Sequence, residues 1–210
     1  MRYLVVCGGK IDKEFGLNEI KTDGIDAIIA ADSGMDFLYE NGVTPDIIVG
    51  DFDSATTKAL EFFERKGQTE IHRLNPIKDD TDTEYAIRLA IREGARSIVV
   101  LGATGSRIDH VLGNISLLGI GLESKTDISI IDTNNRIRMA DKPVTIEKSA
   151  QYGRFVSLIA VTDDNEVSLR GFKYPVTDYS FDRFTSLGIS NEIIDDHAAV
   201  SYTHLRAHET

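Results

Sequence analysis

The sequence predicts an α/β protein: an N-terminal, mostly parallel sheet flanked by helices in a Rossmann-like layout, followed by a smaller C-terminal all-β sandwich domain. Three observations carry this expectation. Up to about residue 132, short β-branched runs alternate with longer stretches of helical period, the pattern of strands joined by crossover helices. After Asp132 the texture changes to short alternating segments broken by Gly, Asp and Asn. The chain has 210 residues, 41% of them hydrophobic, enough for one large core or two small ones.

The first strand is expected at residues 3–7, followed by a turn at Gly8-Gly9 that could also admit a phosphate. Further strands are expected at 27–31, 47–49, 70–74, 97–101 and 128–131, with helices between them. The best-marked helix spans 81–93, where Thr81 and Glu84 have the spacing of a capping box and Ala86, Leu89 and Ala90 recur at helical period. Another runs over 109–122, with Leu112, Ile115 and Leu118 on a buried stripe and Asp109-His110 at its start. In the second half, strands are expected at 136–139, 144–147, 155–160, 166–170 and 174–176. This gives an α/β domain at 1–132, a linker at 133–135 and a β domain at 136–199. Residues 200–210 fit neither texture and resemble translated sequencing-adaptor sequence, so they are expected to be a non-native tail.

Composition excludes several classes. A formal net charge of -11 disfavours nucleic acid as the main partner, because phosphate backbones are held by surplus lysine and arginine. The longest apolar runs fall well short of the roughly 20 residues that cross a bilayer, so no membrane span is expected. The N-terminus reads as a first strand and not as a secretory signal, which points to a cytoplasmic protein. The single cysteine, Cys7, allows no internal disulfide and lies in an apolar strand where it is expected to be inert.

The chemistry concentrates in three acidic segments: Gly50-Asp51-Phe52-Asp53-Ser54, Lys78-Asp79-Asp80-Thr81-Asp82, and the run from Gly102 to His110. Carboxylates grouped beside glycines, a lysine and an arginine suit hard cations and polyphosphate. If the chain stays extended at 51–53, Asp51 and Asp53 point the same way and could share one Mg²⁺; the bland alternative is a helix near Ala55 capped by Asp53 or Ser54. Asp82, at a helix start, is the third metal-directed carboxylate, while Lys78 and Asp79 are placed on the nucleotide side. The loop Gly102-Ala103-Thr104-Gly105-Ser106 could wrap phosphate with backbone N–H groups, although it lacks the lysine-serine ending of a P-loop. Arg107 offers a bidentate fork for phosphate, and Asp109 could accept a proton or hydrogen bond from a hydroxyl nucleophile. His110 serves equally well as an acid or as support for the loop, and Asp32 in Ala31-Asp32-Ser33-Gly34 equally as a helix cap or a ligand contact.

Together with Pro45-Asp46, these segments resemble the thiamine pyrophosphokinase family in order and spacing over residues 1–132. Ser157-Leu158, Gly171-Phe172-Lys173-Tyr174-Pro175 and Ser190-Asn191-Glu192 are similar to that family's thiamine-binding domain, extending the resemblance to about residue 196. The resemblance implies transfer of the terminal pyrophosphoryl unit of ATP to the hydroxyl of thiamine, giving thiamine diphosphate and AMP. It implies a homodimer with thiamine held between domains of different chains. It also implies Mg²⁺ on Asp51, Asp53 and Asp82, Arg107 on developing phosphate charge, Asp109 on the thiamine hydroxyl, and Ser190 and Asn191 on the aminopyrimidine ring. The family pattern has a closing strand after Ile193-Ile194, where here the tail intervenes. Two other readings are a Mg-dependent nucleotide hydrolase with water as nucleophile, and a catalytically inactive thiamine-binding protein.

Overall fold

The computed structural model describes residues 1–52, 56–75, 80–105, 107–163 and 165–204. Asp53, Lys78 and Asp79 therefore lie outside the described residues. The chain forms two compact units, Met1–Met139 and Ala140–Thr210.

The first unit contains strands β1 (Arg2–Val6), β2 (Ala27–Ala31), β3 (Ile47–Gly50), β4 (Glu70–Arg73), β5 (Ser97–Leu101), β6 (Asp127–Ile131) and β7 (Arg136–Arg138). Between them run helices α1 (Lys13–Ile20), α2 (Gly34–Glu40), α3 (Thr57–Lys66), α4 (Asp82–Arg92) and α5 (Ile108–Ser124). The sheet order is β4-β3-β2-β1-β5-β6-β7, parallel except for the antiparallel edge strand β7. Strand order therefore reverses at β1: β2 to β4 build outward on one side, and β5 begins the other. In open α/β sheets ligands bind at such a switch point, outside the carboxyl ends of the strands.

Strand alternation splits the core into two layers. Tyr3, Val5 and Cys7 face Ala86, Leu89 and Ala90 of α4 and Leu118 of α5, while Leu4 and Val6 face Met35 and Leu38 of α2 and Ala59 and Phe63 of α3. The N-cap half of the expected capping box forms: Thr81 is the N-cap of α4 and its hydroxyl accepts from the Glu84 N–H at 3.2 Å, while the Glu84 carboxylate pairs with Arg88. The N-cap of α3 is Thr56, not Asp53 or Ser54.

The stripe expected on α5 needs correction. Leu118 is buried and Ile115 packs partly on the core, but Leu112 is 61% exposed. Seventeen helical residues span about 25 Å against about 17 Å for a five-residue strand, so one end must overhang. The buried residues Leu118 and Gly121 lie in the C-terminal half, which leaves the N-terminal turns, with Asp109 and His110, standing clear of the sheet.

The second unit contains β8 (Val144–Glu147), a single 3₁₀ turn at Lys148–Ala150, β9 (Asn165–Arg170), β10 (Val176–Phe181) and β11 (His197–His204). The four strands form one antiparallel sheet in the order β10-β9-β11-β8. Its core, Val167, Leu169, Phe172, Phe181, Ile193 and Ala198, is closed by Val156, Leu158 and Ala160 from the segment expected to be a strand at 155–160. That segment forms no regular strand: it is held by an isolated bridge between Val156 and Asn191 and by the Leu158 N–H donating to the Gly188 carbonyl at 2.8 Å. The expected all-β domain is thus one regular sheet faced by irregular chain.

Two expected boundaries move. Residues 136–138 pair with β6, so the first unit runs to Met139 and not to 132. Residues 200–204, set aside as a tail, continue β11 against β9 in unbroken register. Sheet pairing is carried by backbone amides, and Ala198, Val200 and Tyr202 supply the period-2 apolar face that packs on the core. The tail thus supplies part of the closing strand.

Candidate active site

Three carboxylates converge at the carboxyl edge of the first sheet. Asp32 follows β2, Asp51 follows β3, and Asp82 is the first residue of α4; each offers an oxygen within 4.8 Å of the others, and all three are half-buried. Asp82 reaches the cluster because α4 lies across β1, β2 and β3 although its own sequence follows β4. Asp51 and Asp82 are thus brought together as expected, and Asp32, left open in sequence between a helix cap and a ligand contact, joins them.

Local backbone explains the convergence. Asp32 has φ 47° and its N–H donates to the Val49 carbonyl at 2.7 Å, so the chain turns sharply off β2 while still held to β3. Aspartate tolerates the left-handed region better than most residues. Phe52 has φ 65°, so the chain does not remain extended after Asp51. The Phe52 ring packs into the core beneath, with the Arg73 guanidinium 5.4 Å from its centroid. A Cβ at Gly50 would stand 3.1 Å from both the Asp32 Cα and the Phe52 ring, so glycine there permits the two turns to meet.

Like charges at this spacing repel by roughly 3 kcal/mol per pair at an effective dielectric near 20. A hard divalent cation reverses that sign, and a compact set of carboxylate oxygens is the donor chemistry such cations take. The donor set therefore fits Mg²⁺.

The loop after β5 forms the other wall of the switch point. Gly102 has φ 69°, and a Cβ on it would lie 2.3 Å from the Cys7 carbonyl, so the loops after β1 and β5 touch backbone to backbone. At the Gly8-Gly9 turn, the Gly9 N–H donates to the Gly102 carbonyl at 3.0 Å, and a Cβ on Gly8 would meet Ser33. Thr104 Oγ1 donates to Asp132 Oδ2 at 2.7 Å, and Asn114 Nδ2 donates to the Ala103 carbonyl at 2.9 Å. Gly105 is exposed. Arg107, the extended N-cap of α5, forks onto Asp109, with Nη2 to Oδ2 at 2.7 Å and Nε to Oδ1 at 3.2 Å. The His110 N–H also donates to Asp109, at 3.0 Å. The Arg107 guanidinium, helped by that N–H, holds the exposed Asp109 carboxyl below the usual carboxylate range. His110 is exposed beside them.

Cys7 is buried and accepts a bond from Thr83 Oγ1 at 3.4 Å; burial pushes its thiol up to about 11, in keeping with the inert role expected.

In the second unit, Ser190 is exposed in a left-handed turn at φ 61°, its N–H donating to Ser157 Oγ at 3.0 Å. Asn191 is buried and committed to backbone: Oδ1 accepts from the N–H groups of Tyr174 and Glu192, and Nδ2 donates to the Tyr174 carbonyl. Its amide shapes the turn that presents Ser190. Glu192 is bridged by Lys173 and Arg154, which hold its carboxyl below the ordinary range.

Asn114 and Asp132 were missed by sequence reasoning. Asp132-Thr133-Asn134-Asn135 carries an Asx-turn signal, but its position between texture types made it read as a linker edge.

Comparison with known proteins agrees with this geometry. Residues 21–131 match the description "Thiamin pyrophosphokinase, catalytic domain", and residues 143–205 match "Thiamin pyrophosphokinase, vitamin B1 binding domain". The second match takes in residues 200–204. Thiamine pyrophosphokinase of Bacillus subtilis (strain 168) is 35% identical over 176 residues, covering 83% of this chain and 81% of that protein. A crystal structure of the Bacillus subtilis protein superposes with a TM-score of 0.86 at 32% identity, covering 97% of this chain and 95% of that one. The corresponding structure from Geobacillus thermodenitrificans gives a TM-score of 0.82 at 30% identity, covering 97% and 94%. With both halves matched in order, the chain belongs to the thiamin pyrophosphokinase family.

Proposed function

We propose that this chain transfers the terminal pyrophosphoryl unit of ATP to the primary hydroxyl of thiamine, releasing thiamine diphosphate and AMP. The observation that carries the reading is the convergence of Asp32, Asp51 and Asp82 at the carboxyl edge of a switch-point sheet. These residues would hold Mg²⁺, with Asp53, Lys78 and Asp79 assigned beside them on sequence alone. The ion supplies charge neutralisation for the polyphosphate. The loop at 102–105 receives phosphate oxygens through backbone N–H groups, and Arg107 moves part of its fork from Asp109 to the transferred group. Asp109, kept ionised by Arg107, accepts the hydrogen bond of the thiamine hydroxyl and aims its oxygen at the β-phosphorus. Such transfers depend chiefly on alignment and charge stabilisation, so a weakly basic carboxylate suffices. His110 supports the loop, and Ser190, with Asn191 behind it, meets the aminopyrimidine ring.

We assign the reaction to the cytoplasm and the working unit to a homodimer; no helix among the described residues is long and apolar enough to cross a membrane. Exposed Phe155, Ile159, Phe184 and Leu187 on the second unit supply apolar surface for a second copy to cover. The test is to mix protein, Mg-ATP and thiamine and quantify nucleotides and thiamine esters. AMP and thiamine diphosphate in equal amounts are expected; ADP as product, or ATP breakdown indifferent to thiamine, would refute the reading.

A further inference from the structure

The loop at 102–105 is pinned at three successive residues by groups outside it. The Gly102 carbonyl accepts from Gly9 N–H, the Ala103 carbonyl from the Asn114 side chain, and the Thr104 hydroxyl is directed onto Asp132. In a trans peptide the C=O of one residue and the N–H of the next point in opposite directions. Anchoring the carbonyls of Gly102 and Ala103 therefore fixes where the N–H groups of Ala103 and Thr104 aim.

Asp132 is itself over-determined. Oδ1 accepts from the N–H groups of Asn134 and Asn135 at 2.7 and 2.8 Å and from Asn135 Nδ2 at 3.0 Å, while the Asp132 N–H donates to the Asn135 carbonyl at 2.9 Å. Burial alone would raise its pKa, but the bonds from Thr104, Asn134 and Asn135 outweigh that and hold the carboxyl low. It is a fixed, ionised acceptor at the end of β6, adjacent to β5 in the sheet. A hydroxyl pointed at such an acceptor has one favoured rotamer, and its loop inherits that order.

We propose that Asp132 and Asn114 are positioning residues that preset the 102–105 loop to receive nucleotide polyphosphate, acting through the Thr104 hydroxyl and the Ala103 carbonyl. The inference rests on reading that loop as the phosphate seat of the proposed reaction. Neither residue touches substrate; each removes loop conformations that would have to be lost on binding.

The test uses the full chain and a Mg-bound, non-hydrolysable ATP analogue measured by calorimetry, so that nucleotide affinity is read without turnover. Thr104→Val and Asp132→Ala are each expected to weaken binding by about fivefold to tenfold, less than the full worth of a bond to a charged acceptor because the bond acts on loop order and not on the ligand. Their double variant should be no weaker than the worse single, because both break the same bond, and Thr104→Ser should restore affinity. Asn114→Ala should weaken it by a similar factor. In turnover, KM for Mg-ATP should rise while KM for thiamine stays fixed, a split that general destabilisation would not produce. Wild-type affinity in Thr104→Val, additive losses in the double variant, or no analogue binding by the wild type would overturn the proposal. If the wild type forms AMP and thiamine diphosphate while Thr104→Val keeps full affinity, the positioning role fails and the reaction stands. If the wild type binds the analogue but never transfers to thiamine, the reaction fails and the variant series still decides the positioning role.

Discussion

The two units hold their candidate functional groups in different ways. In the α/β unit, the aspartates are aimed by backbone: left-handed turns at Asp32 and Phe52 and a helix start at Asp82, all leaving a sheet buried on both faces. In the β unit, the turn bearing Ser190 is held by side chains, chiefly the Asn191 amide and the Glu192 carboxylate with its two cations. The α/β unit exposes few large apolar side chains, chiefly Ile108 and Leu112 at the start of α5, whereas the smaller β unit exposes more of them, with Phe184 at 91% and Ile159 at 72%. A carboxylate cluster that must hold an ion within narrow distances needs a rigid scaffold; a surface that meets an organic ring can be set by replaceable polar contacts.

The largest effect that would break this contrast is at the cluster. Asp51→Asn is expected to cut turnover at least about a hundredfold and to abolish the rise in thermal midpoint that added Mg²⁺ gives the wild type. A rise that survives the substitution would take this carboxylate out of the metal site. Next comes the small β core. Phe172→Ala should cost about 3–5 kcal/mol and remove thiamine-dependent turnover, while Mg-nucleotide binding by the α/β unit persists. Loss of both together, by calorimetry, would show that the units do not behave separately.

Within the β unit, Asn191→Ala should lower stability by about 1–3 kcal/mol, because it strands the backbone groups of Tyr174. Ser190→Ala should leave stability unchanged and raise only the KM for thiamine; equal melting losses in the two variants would dissolve the distinction between holding and contacting.

A subtler effect separates Arg107 from the cluster. Because Arg107 lowers the Asp109 pKa, any acid limb set by Asp109 lies below the ordinary carboxylate range, with function present above it and lost as pH falls through it. Arg107→Ala should move that limb upward in pH, with little change in melting because the pair is exposed. An unmoved limb would assign it to another group. Smallest of all, Cys7 with its thiol near 11 should resist iodoacetamide at pH 8, where about one thiol in a thousand is ionised, until the protein unfolds.

How much of this was legible in the sequence differs between residues for physical reasons. The strands at 27–31 and 97–101 coincide with the expected runs because apolar β-branched residues there are bounded by charged or turn residues, a purely local signal. The N-cap at Thr81 is equally local. Strand β10 was expected at 174–176 but runs over Val176–Phe181, because Asp178 takes φ 45° in a bulge stabilised by Ser168 across the sheet, a partner no local window contains. Asp132 escaped for the same reason, and Asp32 was legible as a ligand contact but not as a member of the carboxylate cluster. Their roles are set by which strand lies next to theirs, and the reversal of strand order at β1 is not written in the residues of any one strand. Asp82 was legible because a carboxylate at a helix start is both a local pattern and a ligand position.

The account rests on transfer of two phosphoryl groups as one unit, and a positional label reads this directly. With ATP labelled at the β-phosphorus, thiamine and Mg²⁺, the label should appear in thiamine diphosphate at the phosphate bonded to the thiamine oxygen, with unlabelled AMP released in equal amount. Label found in ADP or in inorganic phosphate, with thiamine unchanged, would contradict it.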